Sequence, residues 1–527
     1  MSGSGDQQIA RAAGVVMTGF VLSNLVGLLR QILVSRAFGT GSDLDAFNTA
    51  SRLPELLFSL FAGGALASAF VPTFTGFLAR GDRPGAWRLA SSILNLIFLI
   101  LTTLAILSAV LAPVLVRTLL APGYQGGQVA LAAALLRIML LSSVIFGVSG
   151  LLMGVLNAEQ HFWMPALAPS MYWLGMIGGV LFLSPAIGIL GLAWGVVSGA
   201  LMHFLIQVPA LFGRGARYSP WLGLRDAAVR HVVRLMGPRL LGVAVVQFNF
   251  LVNTILASGM PEGSLSAIVL AWAVMTMPQV VIAQAIAIAS LPTFSAQVAL
   301  GKLSELRDSL AGVLRGVLFL AIPASAGLVL LRGPLISLLF ERGAFDAHSV
   351  DLVAWALLWY GLGLVPHSVV EIVSRAFYAL QDTRTPVLIG VVAMSLNIGL
   401  SLLFTQLFEN AGYFPHGGLA LANSLATTLE MIALLVLMRV RLGGLEGRRT
   451  TLSVLRTTAA SGVMALFLWW WTSLQLAVGQ PQLLAVGGGV TLGGIVFWLA
   501  ALWMGSQNAR ALPAMVFERF RKPSPGR

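Results

Sequence analysis

The sequence predicts an all-α polytopic membrane protein with about fourteen transmembrane helices. Hydrophobic residues make up 57% of the 527 residues and charged residues only 10%, whereas a soluble domain carries about 25% charged residues. The stretches 89–116, 162–202 and 457–509 contain no charge at all. Backbone groups in lipid must be paired within their own segment, so spans of this kind are helical.

Each helix is predicted from an apolar run, because crossing the hydrocarbon core takes about 20 apolar residues. Ser184-Pro185 divides one long run and Gly479-Gln480-Pro481 divides another. The predicted helices are 13–37, 47–79, 88–118, 127–157, 163–183, 187–212, 229–259, 264–296, 306–340, 348–379, 385–407, 417–440, 452–476 and 482–504.

Lysine and arginine residues of the predicted loops fall mainly on one side of the membrane. With the N-terminus inside, the inner loops and the tail hold Arg80, Arg83, Arg88, Arg214, Arg217, Arg225, Arg230, Lys302, Arg307, Arg384, Arg439, Arg441, Arg448, Arg449, Arg510, Arg519, Arg521 and Lys522. The outer loops hold Asp43, Asp45, Glu262, Glu341, Asp346, Glu409 and one clear cation, Arg342. Cytoplasmic loops carry the excess of positive charge, so both termini are expected in the cytoplasm.

Short internal matches indicate a duplication of six helices. The segment 157–165 (NAEQHFWMP) aligns with 378–386 (YALQDTRTP) at an offset of 221, and VPTFT (71–75) aligns with LPTFS (291–295) at 220. LGLAWG (190–195) aligns with LALANS (419–424) at 229. Coincidence in a biased composition is the alternative. Transporters often use such repeats, with the site between the halves.

The repeat predicts two pseudo-symmetric six-helix lobes followed by two further helices. The expected domains are an N-lobe at 1–218, a C-lobe at 219–445, the two C-terminal helices at 446–509 and a basic cytoplasmic tail at 510–527.

The sequence offers no catalytic constellation, so an enzyme is not expected. It contains no cysteine, P-loop, His-Glu-x-x-His or Ser-His-Asp arrangement. The net charge of +13 lies in loops and the tail without a basic-aromatic patch, so no nucleic-acid partner is expected. Asp43 and Asp45 could ligate a metal, but we favour Asp45 as a cap at the start of helix 2. No metal site and no cofactor are predicted.

Polar residues at membrane depth concentrate in predicted helices 1, 2 and 7. They are Asn24, Arg30, Gln31, Arg36, Asn48, Arg52, Glu55, Arg239, Gln247, Asn249 and Asn253. A charge at the centre of the bilayer costs about 2.5–3.5 kcal/mol on insertion scales, so each needs a compensating environment.

Arg30 lies deepest, and two interpretations stay open. It pairs with Glu55, or it faces a water-filled cavity that holds an anion. Arg36 lies near the helix end and can extend its charge to the interface. Glu371 and Arg375 are four residues apart on helix 10 and are expected to form a local salt bridge, and Glu430 lies inside helix 12. The excess of cations over carboxylates in the N-terminal half suggests an anionic cargo.

Several longer stretches resemble the MurJ (MviN) branch of the multidrug/oligosaccharidyl-lipid/polysaccharide exporter superfamily. They include GLLRQILVSRAFGTGSDLDAF (27–47), ERGAFDAHS (341–349) and WYGLGLVPHSVVEIVSRAFYALQDTRTPV (359–387). The resemblance implies fourteen helices, two six-helix lobes in a V and a cationic central cavity. It also implies that the chain flips lipid II, the undecaprenyl-diphosphate-linked peptidoglycan precursor, to the outer leaflet. Helices 13 and 14 would form the lipid-tail groove, with Trp469, Trp470 and Trp471 there or in an interfacial belt.

By position, the resemblance assigns Arg30 to a family arginine proposed to bind the diphosphate. Further candidates for the diphosphate and head group are Arg52, Arg36, Asn24 and Arg239, and the candidate polar cavity residues are Gln31, Asp45, Glu55, Gln247, Asn253 and Glu371. Asn249, Asn397 and Ser401 form a candidate ion site, although Ser401 stands where the family leads one to expect an aspartate.

The sequence also departs from the family at charged positions. Phe58 and Ser59 replace a basic pair on helix 2, and Gly63 replaces a glutamate. Trp272, Ala273 and Thr276 stand where the family usually has Asp, Arg and Glu. The alternatives are therefore a flippase or exporter of another polyprenyl-linked glycan or of an amphipathic cation, and a non-transporting scaffold for cell-wall synthesis.

The expected location is the bacterial plasma membrane, where the chain would contact membrane lipids and act as a monomer. Its expected partners are lipid II or another polyprenyl-diphosphate glycan, with cell-wall synthesis proteins as further candidates. Transport would be coupled to the membrane potential or to Na⁺ or H⁺.

Overall fold

A computed structural model describes residues 3–61, 64–212, 216–478 and 482–510, apart from the side chains of 3–16, 64–68, 238–239, 241–246 and 476–478. Within these ranges every regular element is a helix. The long helices are α1 (Gly3–Phe38), α2 (Ser42–Phe61), α3 (Gly64–Ala79), α4 (Arg83–Val110), α5 (Gly127–Ala158), α6 (Trp163–Gly178), α7 (Ile189–Leu205), α8 (Ala227–Ala257), α9 (Ser264–Gln279), α10 (Ala285–Ala299), α11 (Leu303–Phe340), α12 (Ala347–Ala379), α13 (Arg384–Asn410), α14 (His416–Arg441), α15 (Gly447–Val478) and α16 (Gln482–Trp503).

Short helical segments extend several of these helices. One-turn helices occupy Ala112–Leu115, Ser184–Ile187 and Val208–Phe212, and π-helical turns occupy Val116–Leu120, Gly179–Leu183 and Val280–Gln284. The last of these joins α9 to α10, so that Ser264–Ala299 runs as one span.

Twelve helices of the described part are long and apolar enough to cross a membrane. The other two predicted spans are also helical: α2 and α3 occupy the second, and α8 occupies the seventh. The prediction of an all-α polytopic membrane protein is confirmed, and a helix lies at every predicted position.

The chain forms two compact units, Met1–Ser266 with Arg342–Phe345, and Ala267–Glu341 with Asp346–Arg527. The predicted C-lobe at 219–445 includes α8, whereas α8 lies in the first of these two compact units. The division into functional lobes stays a prediction. Each unit is described separately below.

The first unit packs α1 to α8 around an apolar core that includes Phe70, Phe74 and Trp87. The rings of Phe70 and Phe74 lie 5.3 Å apart, and Trp87 meets Phe74 edge-on at 5.9 Å. Elsewhere α6 and α7 cross at glycines: a Cβ added at Gly175 would lie 2.2 Å from the Cα of Gly199. Small residues allow this close approach of two membrane helices.

Two clusters of buried side chains lie in the described part of the second unit. One joins α10, α11, α12 and α14 and includes Phe294, Leu310 and Phe377. The other holds the two C-terminal helices against α11, where the rings of Phe319 and Phe497 lie 5.1 Å apart. Trp469 and Trp470 are exposed, whereas Trp471 donates a hydrogen bond to the carbonyl of Ala485 at 3.0 Å.

Corresponding helix ends support the internal repeat. Gln160 and Gln381 both adopt the left-handed conformation, with φ of 58° and 60°. Their backbone N–H groups bond to the carbonyls of Asn157 and Tyr378, each three residues earlier. Gly81 and Gly301, which follow the VPTFT and LPTFS segments, have φ of 76° and 70°. Non-glycine residues rarely adopt this conformation, so its recurrence at the repeat offset argues against coincidence.

Asp382, between α12 and α13, is expected to make a pH-dependent contribution to the free energy of unfolding. Asp382 accepts hydrogen bonds from the backbone N–H of Thr385 at 3.0 Å, from the Thr385 hydroxyl at 2.6 Å and from Arg441 at 2.6 Å. The bonds from Thr385, with a smaller effect of Arg441, lower the pKa of Asp382 to about 2. The unfolded-state pKa is about 3.9, so this stabilisation is complete above about pH 4 and is lost as the pH falls towards 2.

We therefore expect Asp382→Asn to lower the unfolding temperature at pH 7 and to reduce the further loss of stability between pH 4 and pH 2. The exposed Asp351 provides the matched control, Asp351→Asn. Thermal unfolding of the full chain in detergent at several pH values measures both effects. An Asp382→Asn profile parallel to that of the unmodified chain would contradict the assignment.

Candidate functional site

Arg30 is held on α1 by an aromatic ring and an amide. Its Nη2 donates to the Oε1 of Gln31 at 2.7 Å, and its Cζ lies 4.7 Å from the ring centroid of Trp173 on α6. The indole Nε1 of Trp173 in turn donates to the hydroxyl of Ser23 at 3.2 Å. A guanidinium over an indole gains cation–π stabilisation, so the ring fixes the position of the charge without neutralising it.

No carboxylate among the described residues pairs with Arg30. Glu55, the partner expected in one of the two interpretations, instead lies 3.2 Å from Arg52 on its own helix. The Nε of Arg30 is buried without a hydrogen-bond partner. Since a buried donor left unsatisfied costs about 1–3 kcal/mol, this atom favours an acceptor from a ligand or a water molecule.

A cluster of aromatic rings in tilted and edge-on contacts extends from Trp173 through the first unit. Tyr172 lies 4.7 Å from Trp173, and Phe146 lies 4.9 Å from Tyr172 and from Phe58. Phe58 is one of the two residues that replace the family's basic pair. At this position the ring of Phe58 packs against the ring of Phe146, and no charged side chain is present.

Arg52 is integrated into the contact between α2 and α8. Its Nε donates to the hydroxyl of Thr254 at 3.0 Å, its Nη1 contacts Glu55, and its Cζ lies 5.9 Å from the ring of Phe250. Two turns further along α2, the Ser59 hydroxyl accepts a hydrogen bond from Gln247. Arg52 therefore already has an anionic and a hydroxyl partner, whereas Arg30 has neither.

Asp45 is buried and caps a different helix from the one expected. It lies in the first turn of α2, but its carboxylate accepts hydrogen bonds from the N–H of Gly263 at 2.8 Å and from the N–H and hydroxyl of Ser266 at 2.7 and 2.6 Å. Gly263 immediately precedes α9, and Ser266 lies in its first turn. Glu262 reciprocates at the start of α2, where its carboxylate accepts the N–H of Ser42 at 2.6 Å.

The Asp45 cap predicts a loss of stability on truncation. Asp45→Ala leaves the two buried N–H groups without their acceptor, which should cost about 2–3 kcal/mol. We expect the melting temperature in detergent to fall by several degrees, while Asp43→Ala, at an exposed residue on the same turn, leaves it unchanged. Equal melting temperatures for the two variants would exclude the cap.

The remaining candidate residues of the first unit have no contact with Arg30 among those found in the described part of the chain. Arg36 is exposed, and its carbonyl accepts the N–H of Ala344 at 2.9 Å. Asn24 is exposed and donates to the carbonyl of Phe20 at 2.8 Å. The side chain of Arg239 lies outside the described residues. Asn253 is partly buried on α8, one turn after the buried Asn249.

The candidate polar residues of the second unit have local partners. Arg375 lies 2.6 Å from Glu371, which confirms the predicted salt bridge. Ser401 donates to Asn397 at 3.3 Å, and both side chains are buried. Trp272, at a position usually charged in the family, packs edge-on against Tyr360 and His367 at ring distances of 5.3 Å.

Two contact residues of the first unit are absent from the sequence-based site. Trp173 and Thr254 hold Arg30 and Arg52 in place, but both belong to other helices than the arginines. Their role depends on which helices are neighbours, and no spacing in the sequence gives that information.

The chain matches a family model and many related proteins. The model described as "Lipid II flippase MurJ" matches residues 34–486. A protein of Burkholderia cenocepacia named lipid II flippase MurJ is 32% identical over 440 residues, covering 81% of this chain and 83% of that protein. A probable lipid II flippase MurJ of Vibrio cholerae is also 32% identical, covering 87% and 88% of the two chains.

Solved structures share the fold. A structure of lipid II flippase MurJ in an inward closed conformation has a TM-score of 0.78 at 24% identity and covers 94% of this chain and 99% of that one. An inward-facing multidrug-resistance MATE transporter of the MOP superfamily has a TM-score of 0.68 at 18% identity, with coverage of 81% and 96%. With the match of the family model over most of its length, this chain belongs to the lipid II flippase MurJ family.

Proposed function

We propose that the chain moves lipid II from the inner to the outer leaflet of the bacterial plasma membrane by alternating access. The observation that carries this proposal is Arg30, a guanidinium on a membrane helix that has no carboxylate partner among the described residues and a buried, unsatisfied Nε. Family membership supplies the scaffold, and Arg30 supplies the chemistry for a phosphorylated head group.

Arg30 would bind the diphosphate of lipid II through charge-assisted hydrogen bonds, which are about twice as strong as neutral ones. Trp173 and Gln31 keep the guanidinium in place before the ligand arrives, so little side-chain freedom is lost on binding. Arg52, held by Glu55 and Thr254, and Arg239 are the candidates for a second cation. A single guanidinium cannot neutralise a diphosphate.

The membrane potential would supply the driving force. Moving one charge through 100 mV is worth about 2.3 kcal/mol, so two negative charges carried outward from an inside-negative cell gain about 4–5 kcal/mol. With both termini in the cytoplasm, the charge distribution of the loops agrees with the positive-inside rule. Movement of counter-charges with the lipid would remove this gain.

A second candidate substrate is another polyprenyl-diphosphate glycan. The replacement of charged family positions by Phe58, Ser59, Trp272 and Thr276 favours it, since these side chains make packing and hydrogen-bond contacts rather than ion pairs. The diphosphate chemistry at Arg30 is the same for both candidates, and the difference lies in the sugars.

Depletion of the protein in its own bacterium tests the proposal and separates the two substrates. We expect lipid II accessible at the outer face to fall while total cellular lipid II rises, and re-expression to restore both. A matched strain depleted of an unrelated membrane protein controls for general damage. Unchanged accessibility of lipid II, with loss of a different polyprenyl-linked glycan at the surface, would favour the second candidate and exclude the first.

A further inference from the structure

The second unit contains a membrane-embedded carboxylate that has no part in the proposed head-group contact. Glu430 lies 14 residues after the start of α14 and 11 before its end, about 21 and 16 Å along the helix at 1.5 Å per residue. Its side chain is partly buried. None of the ion pairs found among the described residues includes it.

Glu430 faces the neighbouring helix α13 at a glycine. A Cβ added at Gly390 would lie 3.6 Å from the Oε1 of Glu430. The carboxylate therefore approaches α13 at a residue that has no side chain. The charged residues of α13, Arg384 and Glu409, lie at its two ends.

Glu430 also continues a line of polar side chains between α12 and α14. His367 bonds to Asn423 at 3.1 Å and to Thr427 at 3.4 Å, and Glu430 follows Thr427 by three residues on the same face of α14. On α12, Glu371, Arg375 and Tyr378 follow His367 at spacings of four, eight and eleven residues, which also places them on one face.

The one arginine of α12 is already paired with a carboxylate. Arg375 lies 2.6 Å from Glu371, and its Cζ is 5.9 Å from the ring of Tyr378. The cations of α14 itself, Arg439 and Arg441, lie in its last turn.

We propose that Glu430 is a proton-binding site, and that its occupancy, relayed along the line to His367, couples transport to the proton gradient. This coupling rests on the proposed function. A proton from water binds a carboxylate oxygen of Glu430, which becomes a neutral acid, and leaves to water on the other side after the conformational change. No bond to substrate forms and no redox partner is needed.

The surroundings favour a proton over a metal cation. Hard cations are bound by several oxygen ligands at once, and no group of three or more acidic or histidine residues that could hold a metal was found in the described part of the chain. A proton requires only one carboxylate. An ionised carboxylate at membrane depth without a partner is costly, and binding a proton removes this cost.

Infrared spectroscopy of the full chain in lipid nanodiscs tests proton binding without any substrate. Acidification should produce a carboxylic-acid C=O band in the unmodified protein. The chain has 19 Asp and Glu residues, so this band has several components. We expect one component to be absent in Glu430→Gln, shifted in Glu430→Asp and retained in Glu409→Gln, which makes the same change at an exposed residue. An identical band in Glu430→Gln and the unmodified protein would overturn the proposed site.

Reconstituted vesicles test the coupling. An imposed pH gradient should raise the rate of lipid II movement at least threefold in the unmodified protein and in Glu409→Gln, but leave the rate of Glu430→Gln unchanged. An equal response in Glu430→Gln would overturn the coupling. If the unmodified protein moves no lipid II under any gradient, the proposed function fails, whereas the infrared result still decides whether Glu430 binds a proton.

Discussion

Replacing Arg30 by alanine is expected to reduce lipid II transport by about tenfold to a hundredfold. The variant removes the guanidinium that we assign to the diphosphate and that has no carboxylate partner among the described residues. Such a charge-assisted contact is worth about 1.5–3 kcal/mol. A difference of 1.4 kcal/mol corresponds to a factor of ten. Transport in complemented cells and binding of undecaprenyl diphosphate to the purified protein should fall together.

Two variants separate charge from structure in this experiment. Arg30→Lys keeps the charge but loses the planar guanidinium that lies over Trp173, so an intermediate loss is expected. Arg137→Ala removes an exposed arginine of α5 that donates to the carbonyl of Ala109 at 3.0 Å, and full transport is expected. Full activity of Arg30→Ala would remove the proposed anion contact.

The second large effect concerns the crossing of α6 and α7. Gly175→Leu places a side chain where even a Cβ would be 2.2 Å from the Cα of Gly199, and a Cβ at Gly179 would be 2.5 Å from that of Gly195. Backbone atoms on both helices must move apart. We expect destabilisation of at least about 3 kcal/mol and little folded protein in the membrane fraction.

The same helix provides the control. A Cβ at Gly178 would have no neighbour within 4 Å, so Gly178→Leu should fold like the unmodified chain. Size-exclusion profiles and melting temperatures of the two leucine variants in detergent measure the difference. Similar profiles for Gly175→Leu and Gly178→Leu would show that the close contact does not determine packing.

The helices were predictable from the sequence because long charge-free runs and prolines mark their extent locally. The salt bridge between Glu371 and Arg375 was predictable for the same reason, since spacing of four residues places both on one face. The left-handed ends at Gln160 and Gln381 agree with the repeat that the sequence indicates.

Contacts between helices were not predictable in the same way. Asp45 caps α9 instead of α2. The sequence did not show this, because its partners Gly263 and Ser266 follow more than 200 residues later. Pairing with Glu55 was one of the two interpretations of Arg30, but Glu55 forms its salt bridge with Arg52, three residues away on the same helix. The ring that holds Arg30 comes from α6, and the sequence alone does not show that α1 and α6 are neighbours.

The most direct test of the account is lipid II movement by the purified chain. Vesicles containing the protein and lipid II on one side are given a membrane potential, and lipid II reaching the other side is quantified. We expect movement that depends on the protein, rises with a potential favouring movement of negative charge and falls with Arg30→Ala. A rate equal to that of protein-free vesicles at every potential would contradict it.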